Sequence, residues 1–150
     1  MSWHVKLGGQ LSVWKDGSEL PGPENKTVGV LLVGLLFRGS DWSSRHELAN
    51  LLYPDSEEHS KRTALRQSLL RLRRWCGPDC IEEKQGLIRL SEGAWSYDLT
   101  LANGEGALAS MIAPNLDHPW IEAIRQSLTP QKQEQAIEAV EDFATAVGNA

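Results

Sequence analysis

The order of apolar and polar positions divides the chain into short alternating runs, an apolar helix, a short amphipathic helix, a long basic one and a hairpin. Residues 3–20 read as strands: VKL and LSVW are brief β-favouring runs, and Asp16-Gly17 is a strong hairpin turn. Pro21-Gly22-Pro23 breaks the chain. Residues 25–37 predict a helix so apolar that it must be buried on most sides, with Arg38-Gly39 as its stop. Ser44-Arg45-His46-Glu47 has the form of a capping box, Ser44 capping and Glu47 reaching back, and opens a short helix with Leu48, Leu51 and Leu52 facing inward. Tyr53-Pro54 ends that helix. Asp55 and Glu58 are placed to cap the next, which Gly77-Pro78 stops.

That third helix carries a core stripe at Leu65, Leu69, Leu72 and Cys76, spaced i, i+4, i+7, i+11. At about 100° per residue these four lie within roughly 60° of one another. Ser60, Thr63, Gln67, Arg71 and Arg74 fall on the opposite face, with His59, Arg66 and Leu70 along one flank. Six basic residues stand between Lys61 and Arg74 with no acid among them. A helix apolar on one side and basic on the others suits a groove of DNA, although charge runs are more often a solvated face. Beyond it, Ile81–Lys84 and Leu87–Leu90 predict a hairpin turning at Gly86, and residues 95–99 a further strand after Ser91-Glu92-Gly93.

The last third differs. Residues 104–112 are rich in Gly and Ala and weakly helical. Asp117-His118-Pro119 predicts a helix start with Pro at the first position, leading residues 120–128. Thr129-Pro130 starts another helix running to about Val147, with an apolar stripe at Ala136, Ile137, Val140, Phe143, Ala144 and Val147 that needs a partner.

The formal net charge of the 150-residue chain is −5. Residues 1–99 hold 13 basic and 13 acidic residues, whereas residues 100–150 hold 2 and 7, so the acidity belongs to the tail. A neutral front part with its cations gathered on one helix is compatible with phosphate binding, because local patches govern it more than net charge does. The longest apolar run, residues 28–37, is far short of the roughly 20 residues of a membrane span, and the N-terminus has no signal-peptide core. Cys76 and Cys80 flank a Gly-Pro turn; a disulfide is open to them, free thiols are the commoner outcome in the cytosol, and the four histidines lack the spacing that would make a metal site with them. Neither a Walker loop nor G-x-S-x-G occurs, and no carboxylate pair stands beside a histidine, so catalysis and a cofactor are not expected.

Strands, helix, helix, basic helix, hairpin is the order of an α+β winged helix-turn-helix with an N-terminal antiparallel sheet and a C-terminal hairpin wing. Residues 5–99 resemble the OmpR/PhoB-type winged-helix domain, in the version found at the N-terminus of SARP-type transcriptional activators. The matching pieces are VKLGGQLSV, ELPGPENKTVGVLLVGLL, SSRHELANLLYPDS, ALRQSLLRLRRWCG and LIRLSEGAWSYDL. Beyond Leu99, ALASMIAPNLDHPWIEAIRQSL is similar to the opening of the bacterial transcriptional activator domain that follows in those proteins, here much shortened. The expected organisation is therefore a DNA-binding domain over residues 1–99 and a helical appendage over residues 100–150.

The resemblance implies sequence-specific binding to promoter DNA, usually direct repeats occupied by tandem copies of a protein that is a monomer or weak dimer in solution. It also implies recruitment of RNA polymerase through a sigma factor, and a cytoplasmic, nucleoid-associated location. Transferred by position, the reading helix is residues 57–75, the wing centres on Lys84-Gln85-Gly86, and Tyr53, Pro54, Asp55 and Ser56 form the loop that family members turn towards polymerase; Tyr53 stands where the family often has Trp. Thr63 and Gln67, with Arg66 or Arg71, are expected to face base edges beside His59 and Ser60. Arg62, Arg73, Arg74, Lys84 and Arg89 are expected to contact phosphates or brace the fold, Arg62 and Arg73 lying nearest the core stripe. The competing expectation is a winged helix that docks a protein instead of DNA, with the acidic tail folding over the basic helix. The six tryptophans are too scattered for a base-stacking platform and are expected to pack in the core and at its edges.

Overall fold

Nine consecutive residues of the first long helix, 28–36, are buried, and the other elements are arranged to cover them. The structure is a computed structural model that describes residues 1–99 and 112–128. The element order is β1 (Trp3–Lys6), β2 (Ser12–Lys15), β3 (Ser18–Glu19), α1 (Lys26–Arg38), β4 (Ser43–Ser44), α2 (Arg45–Leu52), α3 (Glu58–Cys76), β5 (Ile81–Lys84), β6 (Leu87–Leu90), β7 (Trp95–Asp98) and α4 (Pro119–Ser127). This is a winged helix-turn-helix: α2, a turn and α3, followed by the β5–β6 hairpin as the wing. A four-stranded sheet in the order β3-β2-β1-β7 flanks it at the N-terminal side.

Local sequence accounts for most of the element ends. The Asn25 side chain accepts the Val28 N–H at 3.1 Å and caps α1, and the Ser44 hydroxyl accepts the Glu47 N–H at 3.0 Å and caps α2. Asp16-Gly17 and Gln85-Gly86 each hold two successive positive φ angles, the signature of the type I′ turn whose twist matches a hairpin. Other details depart from the sequence-based expectation. The Glu47 carboxylate does not complete a capping box, because it pairs with Arg38 across the bend between α1 and α2. Neither Asp55 nor Glu58 caps α3: Glu57 occupies the cap position without a side-chain hydrogen bond, and Glu58 lies in the first turn, where an acid still favours the helix dipole. The sheet is mixed, not purely antiparallel, since β7 returns parallel to β1 with Trp95 opposite Trp3. Their rings stack 5.1 Å apart. β4 joins the wing as a third strand, Ser43 opposite Ile88.

α4 belongs to the same core. Trp120, Ile121 and Ile124 are buried against α1 and α2, each removal from water contributing about 1.5–3 kcal/mol. The approach is close enough that the Trp120 ring occupies the space a side chain at position 34 would need. His118 fixes where the helix begins: its Nδ1 accepts the Trp120 N–H at 3.0 Å, and its Nε2 donates to the Leu52 carbonyl at 2.7 Å, at the end of α2. The Arg125 guanidinium donates to the carbonyls of Ile112 and Ala113 and ties down the turn before α4. Of the predicted tail, residues 104–111 and the helix starting at Thr129-Pro130 lie outside the described residues.

Cys76 and Cys80 are free and buried. Burial raises both thiols, Cys80 to about 11 despite the Arg73 charge nearby, and Cys76 further, with Cys80 adding to the effect. The protonated thiols favour the fold fully below the ordinary thiol pKa of 9.0, and that contribution is lost as pH climbs from there through the raised folded-state values. Both thiols are buried and stay protonated at pH 8, so the folded protein is expected not to react with a disulfide reagent that titrates both thiols once guanidinium unfolds it; fast labelling in the native state would contradict the burial. A second expectation concerns the seat of α4. Gly34→Ala would place a Cβ 2.3 Å from the Trp120 ring. Overpacking of about 1–3 kcal/mol should exceed the roughly 1 kcal/mol gained in helix propensity, lowering the urea midpoint. A raised midpoint would mean that Trp120 does not occupy that seat.

Candidate nucleic-acid interface

α3 is held from both ends, and its outward face is thereby fixed. Leu65, Leu69, Leu72 and Cys76 turn into the core. Between them Ser68, also buried, shares a 2.6 Å hydrogen bond with the Tyr53 hydroxyl, which lies 3.3 Å from the Ala64 carbonyl. At the first turn, Lys61 Nζ donates to Asn50 of α2 at 2.9 Å. At the last, the Trp75 indole N–H donates to the Pro21 carbonyl at 2.6 Å, bringing the 21–24 loop across the end of the helix.

The exposed face carries His59, Ser60, Arg62, Thr63, Arg66, Gln67, Leu70 and Arg74, with Arg71 half-buried at its edge. The cations are not equivalent. Arg71 and Arg74 both reach Glu24, each at 3.4 Å, and Arg73 pairs with Glu83 of β5 at 2.9 Å. Glu83 also takes Arg45 of α2 at 2.8 Å, so one carboxylate joins α2, α3 and the wing. Arg62 and Arg66 make no ion pair among the described residues. The uncommitted charge therefore lies on the first half of α3, beside Thr63 and Gln67. The paired half is held by contacts that are exposed or half-exposed and are worth about 0–1 kcal/mol each, weak enough for another anion to replace.

The wing divides in the same way. Lys84 stands exposed next to the Gln85-Gly86 tip. Arg89 does not project: its side chain is 16% exposed, donates to Glu82, Glu92 and the Ser40 carbonyl, and lies 4.2 Å over the Trp42 ring. It braces the wing against the end of α1. Tyr53 is half-buried against α3, whereas Pro54, Asp55 and Ser56 are exposed at the turn between α2 and α3. Arg62 points to solvent, not along the core stripe. Glu24 and Glu83 were not singled out from the sequence; their partners lie on other elements, and no local pattern marks them. Among the described residues no three His, Cys, Asp or Glu side chains gather where they could hold a metal, and no helix is long and apolar enough to cross a membrane.

No protein-family model and no curated protein matches the sequence. Among solved structures, EmbR of Mycobacterium tuberculosis, determined in complex with a low-affinity phosphopeptide, is similar with a TM-score of 0.63 at 15% identity, over 97% of this chain. The match takes in 48% of the EmbR chain, so the present chain spans about half its length. At that identity the likeness is one of fold.

The Glu24 contacts give a direct test. Glu24→Gln releases two guanidiniums on the exposed face and should tighten binding to random duplex DNA, steepening the logarithmic salt dependence by about one unit. Unchanged salt dependence in an anisotropy titration would show that Arg71 and Arg74 do not meet phosphate.

Proposed function

We propose that this chain is a sequence-specific, double-stranded DNA-binding transcriptional regulator that places α3 in the major groove. The observation that carries the reading is the outward half of α3, where Ser60, Thr63 and Gln67 alternate with the unpaired Arg62 and Arg66 on a helix whose other side is locked into a winged-helix core. Hydroxyl and amide groups interleaved with guanidiniums are the donor and acceptor set that distinguishes base pairs while holding the backbone. Lys84 at the wing tip supports a flanking phosphate contact. The fold shared with EmbR and the resemblance to SARP-type activators favour regulation of transcription as the output. On that basis the exposed Pro54, Asp55 and Ser56 serve as the contact to a polymerase sigma factor, and tandem copies occupy a direct repeat.

One observation favours a second reading. Three of the six α3 cations, Arg71, Arg73 and Arg74, are neutralised within the fold, which a protein-docking module would tolerate better than a DNA reader. Selection from a random duplex pool at about physiological salt separates the two, since non-specific binding is already weak there. An enriched repeat with one helical turn between half-sites supports the DNA reading; no enrichment by the full chain or by residues 1–128 removes it. Given a site, Gln67→Ala should cost about 1–3 kcal/mol and relax one base position. Arg66→Ala should instead either relax one position or weaken all sequences alike, and the comparison assigns it to base or phosphate.

A further inference from the structure

Leu70 is 55% exposed on the flank of the polar face of α3. Among the described residues the other exposed large hydrophobics are Met1, at the terminus, and Leu87, beside the tip of the wing. A single exposed leucine needs no explanation in general. This one is placed where explanation is informative. It lies five residues after Leu65, off the stripe of Leu65, Leu69, Leu72 and Cys76, and so belongs to no part of the core. On a helix its surface neighbours are the residues three and four positions away. These are Arg66 and Gln67 on one side and Arg73 and Arg74 on the other, so an apolar side chain sits inside a ring of guanidiniums and an amide.

That surrounding disfavours an apolar protein groove as the occupant, because seating Leu70 in one would desolvate Arg66 and Arg74 as well. The major groove offers the opposite combination. It is lined by acceptors and phosphates that satisfy the guanidiniums, and its walls carry an apolar group, the C5 methyl of thymine. We infer that Leu70 is a specificity-determining residue that packs on a thymine methyl, reading an A·T pair next to the position read by Gln67. The inference rests on the proposed DNA reading and names a base within its site.

The test removes the methyl alone. From the duplex selected by the full chain, each thymine is replaced in turn by deoxyuridine, which keeps every hydrogen-bonding group. Binding is measured by anisotropy for the wild-type chain and for Leu70→Ala. Alanine at an exposed helical position preserves the helix, and the urea midpoint of the variant checks this. One thymine is expected at which the swap weakens the wild type roughly fourfold, the worth of one buried methyl, and leaves Leu70→Ala unaffected. A site with no methyl-sensitive thymine, or one equally sensitive in Leu70→Ala, would overturn the role of Leu70 while leaving the DNA reading in place. Failure to select any site would instead overturn both.

Discussion

The burial of α1 on every side is the constraint on which the rest of the molecule depends. Nine residues in a row without a solvent-facing position cannot be covered by the two layers that usually suffice for an amphipathic helix. The cover comes from α2, α3, the wing strand β6 and α4, which close around the helix from different parts of the chain. Gly34 is where this closure is tightest, because the Trp120 ring lies on the backbone itself. The orientation of α3 follows: with α1 and α2 beneath it, the helix has a single way to bury its leucines, and its polar face is directed outward by the same packing.

What could be read from the sequence was what neighbouring residues decide. The stripe of Leu65, Leu69, Leu72 and Cys76 fixes both the burial and the exposed face of α3, since the helical period alone relates them. Asp16-Gly17 and Gln85-Gly86 specify their turns through φ, and Asn25 and Ser44 specify their caps through a side chain three residues from its donor. Most of the helix starts and both hairpins were legible for this reason.

What was not legible depends on residues brought together from afar. Glu47 has the right spacing for a capping box, yet Arg38 is the stronger partner for its carboxylate, being charged. Nothing local tells that β7 will lie parallel to β1, because the Trp3–Trp95 stack joins residues at opposite ends of the winged-helix region. Arg89 has the appearance of a surface cation in the sequence and becomes the centre of a braced cluster only once Trp42, Glu82 and Glu92 surround it. In the candidate site the face of α3 was legible, while the split of its cations into free and engaged sets was not, since Glu24 and Glu83 come from a loop and a strand.

If α3 reads DNA as proposed, that split has a kinetic meaning. A protein that searches a genome must hold random DNA firmly enough to slide along it and loosely enough to leave. Glu24 and Glu83 act as tethered counter-ions that travel with the helix. On a mismatched sequence they would keep Arg71, Arg73 and Arg74 occupied and shorten each encounter. Only where base contacts held α3 deep in the groove would the phosphates outcompete them, so the same two carboxylates would speed the search and sharpen the distinction between a target and its surroundings.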